Sequence, residues 1–191
     1  MTSPLLVRPS VRPSEPEFQP FPMIESRCWF HERIEVPTLV RALGLPRNAR
    51  VLEVGCGGGF ALAPFITLLE PLRLVGLDID EELLALASRR LAASDHPVEL
   101  VHGDVREMPF DDADFDLVVD FGTCYHIARP ADALREIARV LRPGGAFVTE
   151  TPLNQLFAHP MRTRGRSLPW GSSGLAPLRH VGMWQSRLRV P

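Results

Sequence analysis

Between residues 50 and 151 the sequence repeats one pattern: a short, continuously apolar run that stops at a glycine or an acid, usually followed by helical spacing. Val51-Leu52-Glu53-Val54 runs into Gly55-Cys56-Gly57-Gly58-Gly59, and a helical stretch follows from Phe60 to Leu69. Leu72 to Leu77 ends on Asp78. Asp80 then stands where a helix cap is needed, with Glu81 and Glu82 in the first turn, Arg89 and Arg90 near the end, and Leu84, Ala87 and Leu91 on one face. Val98 to Val101 precedes Gly103-Asp104, and Leu117-Val118-Val119 lies between Asp116 and Asp120. Leu134, Ile137, Ala138 and Leu141 recur at helical spacing up to Pro143-Gly144-Gly145, and Ala146 to Thr151 is the fifth run.

Strands that are apolar throughout, rather than at alternate positions, are buried on both faces, and helices between them supply the cover. The expected fold is therefore α/β: a Rossmann-like, doubly wound, mostly parallel sheet with helices on both faces. Its C-terminal strands are the part most in question. Only 40 residues follow Thr151, rich in Pro, Gly and Arg, and 181–184 and 187–190 are short strands at best.

At 191 residues the chain suits one domain. Six prolines in residues 1–22 predict an extended, disordered arm, and residues 23–191 are read as the single domain, with its core at 50–150 and an arginine-rich segment at 151–191. Met23 to Leu45 carries a helical pattern that Pro37 interrupts. Trp29, Phe30 and His31 within it pack in the core or form part of a lid. With 45% hydrophobic and 23% charged residues the composition is that of a soluble globular protein. No long apolar span or leader stands out, and the three scattered cysteines suit a reducing compartment, so a cytoplasmic location is expected. No spacing of Cys and His suggests a metal site.

The 21 basic residues are all arginine, which excludes lysine Schiff-base and P-loop chemistry. Residues 151–191 hold six arginines and no acid, while residues 1–150 carry a charge of −8. The arginine tail can meet an anion or simply offset the acidic body, and the overall pI of about 6.3 does not favour a nucleic-acid partner.

Chemistry is expected at the carboxyl ends of the strands, where an open parallel sheet binds its ligands. Gly55, Gly57 and Gly59 remove side chains from the first turn. A dinucleotide fingerprint from Gly55 would place its third glycine at position 60, which is Phe60, and Glu53 is poorly placed beside a pyrophosphate. A nicotinamide-dependent oxidoreductase is thus disfavoured. A carboxylate suits a ligand with sulfonium and ammonium groups instead. Asp78, 23 residues after Gly55, can accept from both ribose hydroxyls, since Asp80 is better placed to cap. Asp104 completes a row of acids on one rim.

These residues resemble class I S-adenosylmethionine-dependent methyltransferases. Glu53-Val-Gly-Cys-Gly-Gly-Gly59 looks like their first motif, Val75-Gly-Leu-Asp-Ile-Asp80 like the second-strand motif, and Gly103-Asp-Val-Arg-Glu-Met-Pro-Phe110 like the adenine-side motif. Asp114-Phe-Asp-Leu-Val-Val119 and Leu141-Arg-Pro-Gly-Gly-Ala-Phe-Val148 resemble later motifs of the type 11 subgroup, which includes quinone-biosynthesis C-methyltransferases. The resemblance implies S-adenosylmethionine as methyl donor. Glu53 and the Gly55–Gly59 backbone would border its methionine part and Asp78 its ribose. Ile79, Asp104 and Val105 would meet adenine, and Asp120 through His126 would flank the methionine carboxyl end and the substrate. Tyr125 and His126 are the candidates for contact with the acceptor, His126 as a base near neutral pH. Cys56 and Cys124 read as apolar fillers. The implied activity is in-line transfer of a methyl group to a small-molecule or lipid-like acceptor. A non-catalytic donor- or partner-binding module of the same fold is the alternative.

Overall fold

The computed structural model describes residues 6–7, 29, 31–124, 127–149, 162–163, 166–167 and 187–189. Its centre is the strand β2 (Arg50–Val54), flanked by β3 (Arg73–Asp78) and β5 (Phe115–Asp120). With β1 (Leu6–Val7), β4 (Glu99–His102), β6 (Leu141–Thr149) and β9 (Arg187–Arg189) they form one sheet in the order β1-β4-β3-β2-β5-β6-β9. All its pairings are parallel except β6 with β9. The chain runs outward from β2 through β3 to β4, then returns to lay β5 on the other side of β2. That reversal opens a crevice at the strands' carboxyl ends.

The helices α1 (Val36–Leu43), α2 (Leu62–Leu69), α3 (Glu81–Leu91) and α4 (Pro130–Val140) divide between the two faces. Along β2, Val51 joins Leu39, Leu62, Phe65 and Leu84 in one apolar cluster, while Leu52 and Val54 join Ile137 and Val140 in the other. Each such residue is buried, so the central strands β2, β3 and β5 are covered on both faces, as the sequence predicts. A fully buried leucine or phenylalanine contributes about 1.5–3 kcal/mol, which makes these two layers the main stabilising term.

Three local expectations change. Pro37 does not interrupt a helix; it lies in the first turn of α1, where its missing N–H costs nothing. The preceding turn, His31–Glu35, is wound as a wider π-turn, which gives the proline ring room. The buried stripe of α4 is Ala133, Ile137 and Val140, whereas Leu134 and Ala138 are exposed. The leucine at 134 made the neighbouring stripe look stronger, but the small Ala133 lets the helix sit close to the sheet.

The helix also ends before Pro143-Gly144-Gly145. Strand β6 already starts at Leu141, and the pairing jumps from Phe115↔Leu141 to Leu117↔Ala146, so residues between Leu141 and Ala146 bulge out. Gly144, at φ +77°, supplies the left-handed conformation that the bulge needs. Leu6–Val7, the two residues of the proline-rich arm that the structure describes, pair with β4 as an edge strand. At the other end, β9 sets an antiparallel strand against β6, and a hairpin joins β7 (Arg162–Thr163) to β8 (Arg166–Ser167). The expected strand at 181–184 lies outside the described residues, as do Phe30, Tyr125 and His126.

At the amino ends of the strands, charges tie the sheet together. Arg73 bonds Glu99 at 2.8 Å and Asp114 at 2.6 Å, and its guanidinium stands 5.1 Å from the centre of the Phe115 ring. The Arg50 N–H donates to Asp116 at 2.6 Å. This rim is structural, and the opposite rim is left for a ligand.

Candidate active site

The first turn carries the tightest constraints. At Gly55, φ is +65°, and a Cβ there would lie 1.7 Å from the Thr123 hydroxyl oxygen, so the loop after β5 can approach only a glycine. Gly57, at φ +50°, has open space where a side chain would stand, so its backbone is bare toward the cleft. Gly59 serves another need: it faces Ala87 on α3, within 3.0 Å, and does not line the cleft.

Asp78 ends β3 and is nearly buried. The Gly57 N–H donates to its Oδ2 at 2.7 Å, and the Asp80 N–H donates to its Oδ1 at 2.9 Å. Burial pushes this carboxyl above its ordinary value, and those N–H bonds offset part of the rise. Asp80 is the cap of α3, accepting from the N–H groups of Glu82 at 2.9 Å and Leu83 at 3.1 Å. The expected capping by Asp80 is thus seen in the geometry, and Asp78 is left facing the cleft. Ile79, between them, turns outward and is 39% exposed.

On the neighbouring strand end, the Gly103 N–H donates to the Asp78 carbonyl at 2.9 Å. Asp104 takes the Arg106 N–H at 2.8 Å, with Arg106 Nε at 2.9 Å and Nη2 at 2.7 Å. Partial burial raises the Asp104 carboxyl, but the Arg106 bonds outweigh this and hold it below the ordinary value. Val105 is buried beside it. Gly55, Gly57, Asp78, Ile79, Asp104 and Val105 come together as walls of one cleft of about 630 Å³. Asp80, Glu81 and Glu82 also line it, so the cleft favours a ligand carrying positive charge.

Two expected contacts stand elsewhere. Glu53 is buried on β2, and neither it nor Asp120 lines this cleft. Asp120 is fully buried and accepts from the N–H groups of Gly122 (3.0 Å), Thr123 (2.6 Å) and Cys124 (3.3 Å), and from the Thr149 hydroxyl (2.9 Å). Its carboxylate shapes the turn after β5, and the Thr123 hydroxyl reaches back to the Val54 carbonyl at 3.4 Å. The Cys56 thiol is pushed well up by burial and by Glu53 and Asp78; that of Cys124 is raised by burial and Asp120. Both cysteines are inert packing groups at neutral pH.

The cleft also includes Thr123, from the stretch expected to flank the methionine end, and His102, Arg106 and Ile127, none of which the sequence reading singled out. Arg106 sits two residues from Asp104 and its Nη1 donates to the Ala128 carbonyl at 3.2 Å. A cation so close to a motif acid is the one signal that could have marked it. Among the described residues no group of acids, histidines and cysteines is placed to hold a metal ion, and no helix is long and apolar enough to cross a membrane.

The profile of the methyltransferase-domain family matches residues 52–149, the stretch that runs from β2 to β6 and contains every wall of this cleft. The chain belongs to that family. A Mycolicibacterium smegmatis protein named a probable S-adenosylmethionine-dependent methyltransferase is 34% identical over 142 residues, 73% of this chain and 51% of that protein. The fatty-acid O-methyltransferase of the same organism is 37% identical over 99 residues, 52% of this chain and 35% of its own. A tRNA U34 carboxymethyltransferase of Shewanella loihica is 38% identical over 107 residues, 55% of this chain and 32% of its own. Among solved structures, the PH0226 protein of Pyrococcus horikoshii is similar at a TM-score of 0.55 and 29% identity, covering 70% of this chain and 57% of that one. The chain thus spans about half the length, or less, of the curated relatives it matches.

The methyl donor of such methyltransferases is S-adenosylmethionine, and the cleft suits it. Each Asp78 oxygen accepts one N–H, which leaves each a lone pair for one hydroxyl of a vicinal diol. The bare backbone at Gly57 lets a ligand approach.

Proposed function

We propose that this chain binds S-adenosylmethionine in the cleft and transfers its methyl group, by in-line displacement, to a small-molecule or lipid-like acceptor. The observation that carries the reading is Asp78, a nearly buried carboxylate bonded to the Gly57 N–H and so joined to the glycine turn in one wall. The donor supplies an activated methyl group on a sulfonium, so the protein contributes mainly alignment and exclusion of water. Asp78 would accept the ribose hydroxyls, and Ile79 and Val105 would present apolar surface to the adenine. Asp104 would accept from the adenine amino group while it keeps Arg106. Gly55 and Gly57 would give their backbone to the methionine part, near Glu53 and the glycine turn closed by Gly59. Asp120 would act on that end by holding the turn after β5.

Tyr125 and His126 follow that turn directly in sequence, and they remain our candidates for the acceptor side, His126 as a base. The fatty-acid O-methyltransferase relative supports a lipid-like acceptor.

Calorimetric titration with S-adenosylmethionine, S-adenosylhomocysteine and NAD tests the donor. Binding of the first two near micromolar affinity, weakened at least about tenfold in Asp78→Ala, is expected from the loss of two charge-assisted hydrogen bonds. Binding of NAD alone would overturn the reading. A screen of labelled methyl transfer into lipid and metabolite extracts, with tRNA in parallel, tests the acceptor; label only in tRNA would replace our acceptor class.

A further inference from the structure

His102 ends β4 in register with Asp78 on β3 and lines the cleft. Its Nε2 lies 2.9 Å from the Ile79 carbonyl oxygen. A carbonyl only accepts, so Nε2 carries the hydrogen and donates it. Nδ1 is screened from solvent and makes no hydrogen bond, with the Glu81 carboxylate 3.2 Å away, so the ring's bond to the segment joining β3 to α3 runs through Nε2. That segment is the one that carries Asp78, the exposed Ile79 and the cap Asp80. Asp80 and Asp78 shape the segment from within, whereas His102 is a tie to it from a different strand.

We propose that His102 is a positioning residue for the methyl donor, holding the Ile79 backbone so that Asp78 and Ile79 meet the adenosine together. The proposal rests on the donor-binding reading above. His102 acts through Ile79 and needs no contact of its own with the ligand. Its ring is 17% exposed, and its bond to the Ile79 carbonyl is the contact that fixes it to the segment. The tie spans 23 residues of sequence and closes the adenosine end of the cleft, the end away from the turn after β5.

Two polar substitutions separate this role from general support of the fold. In His102→Gln the side-chain amide nitrogen can take the place of Nε2 and keep the bond to Ile79. In His102→Asn it takes the place of Nδ1, so the bond is lost. Calorimetry with S-adenosylmethionine and S-adenosylhomocysteine should find His102→Gln close to the wild type and His102→Asn weaker by roughly two- to tenfold, the range for one hydrogen bond. Because the histidine works through Ile79, Ile79→Ala and His102→Asn should be less than additive in a double-mutant cycle. Equal affinity of the Gln and Asn variants, or full additivity with Ile79→Ala, would overturn the proposal. A wild type that binds neither ligand would instead defeat the donor reading itself, so the two failures are distinct.

Discussion

Asp78 is a carboxylate held against the preference of its surroundings. Burial raises its pKa above the ordinary value, with partial relief from the Asp80 and Gly57 N–H groups. Since the folded value exceeds the unfolded one, the ionised side chain subtracts from stability at neutral pH. That penalty fades as the pH falls through the folded value. Ligand binding has the opposite sign, because only the ionised group accepts two hydroxyls. Donor affinity should therefore fall on acidification, starting above about pH 4, where an ordinary aspartate titrates. Calorimetric titrations stepped down from pH 7 check this; constant affinity down to pH 4 would detach Asp78 from the hydroxyls. The cap at Asp80 and the place of Asp78 at a strand end were legible in the sequence because strand end and helix cap are local features. His102 was not, because its partner Ile79 lies on another strand and becomes a neighbour only through the register of β3 with β4. Asp120 was legible as a residue of the rim but not in its role, since a carboxylate at a strand end can face a ligand or its own following turn.

Among the elements, α4 shows how a helix can be recognised while its face is misassigned. Sequence spacing favoured the stripe Leu134, Ile137, Ala138 and Leu141; Ile137 and Leu141 are buried as expected, but Ala133 and Val140 join them in place of the exposed Leu134 and Ala138. Ile137→Ala should cost about 2–5 kcal/mol, by lost transfer free energy and an unfilled cavity, and Leu134→Ala should change stability by less than about 0.5 kcal/mol. Urea unfolding of the two variants decides the matter, and equal losses would restore the other face. The strand ends invite a second comparison. Arg73 stacks on Phe115 and bonds Glu99 and Asp114 on the rim opposite the cleft. Arg73→Ala should cost about 1–2 kcal/mol, since these contacts are partly exposed and screened, and should leave donor affinity unchanged. Thermal melts with parallel calorimetry would show both; a loss of donor affinity would mean that the two rims are coupled. The bulge at Gly144 lay beyond the sequence reading, because Pro-Gly-Gly marks a break without saying whether it stops a helix or kinks a strand.

For the whole molecule, the parallel sheet was legible in outline because continuously apolar strands leave few alternatives, and the order β4-β3-β2-β5 follows from short right-handed crossovers. The edges were not legible. Leu6–Val7 and Arg187–Arg189 are too short to show a period, and each is a strand only because a neighbour offers an unpaired edge. A ligand that binds only the folded state raises its stability by about 2.7 kcal/mol at one hundred times its dissociation constant. S-adenosylhomocysteine should thus raise the melting temperature by about 5–10 °C in the wild type, as scanning fluorimetry would show, and by much less in Asp78→Ala. An equal rise in both would place the ligand elsewhere.

The reversal of strand order has a consequence for how such a chain can be altered. Most walls of the donor cleft come from one unbroken stretch, Gly55 to Arg106, laid down before the chain crosses to β5, and only Thr123 and Ile127 join from beyond it. Changes made downstream of the crossing therefore leave most of these walls untouched, as a graft leaves its stock.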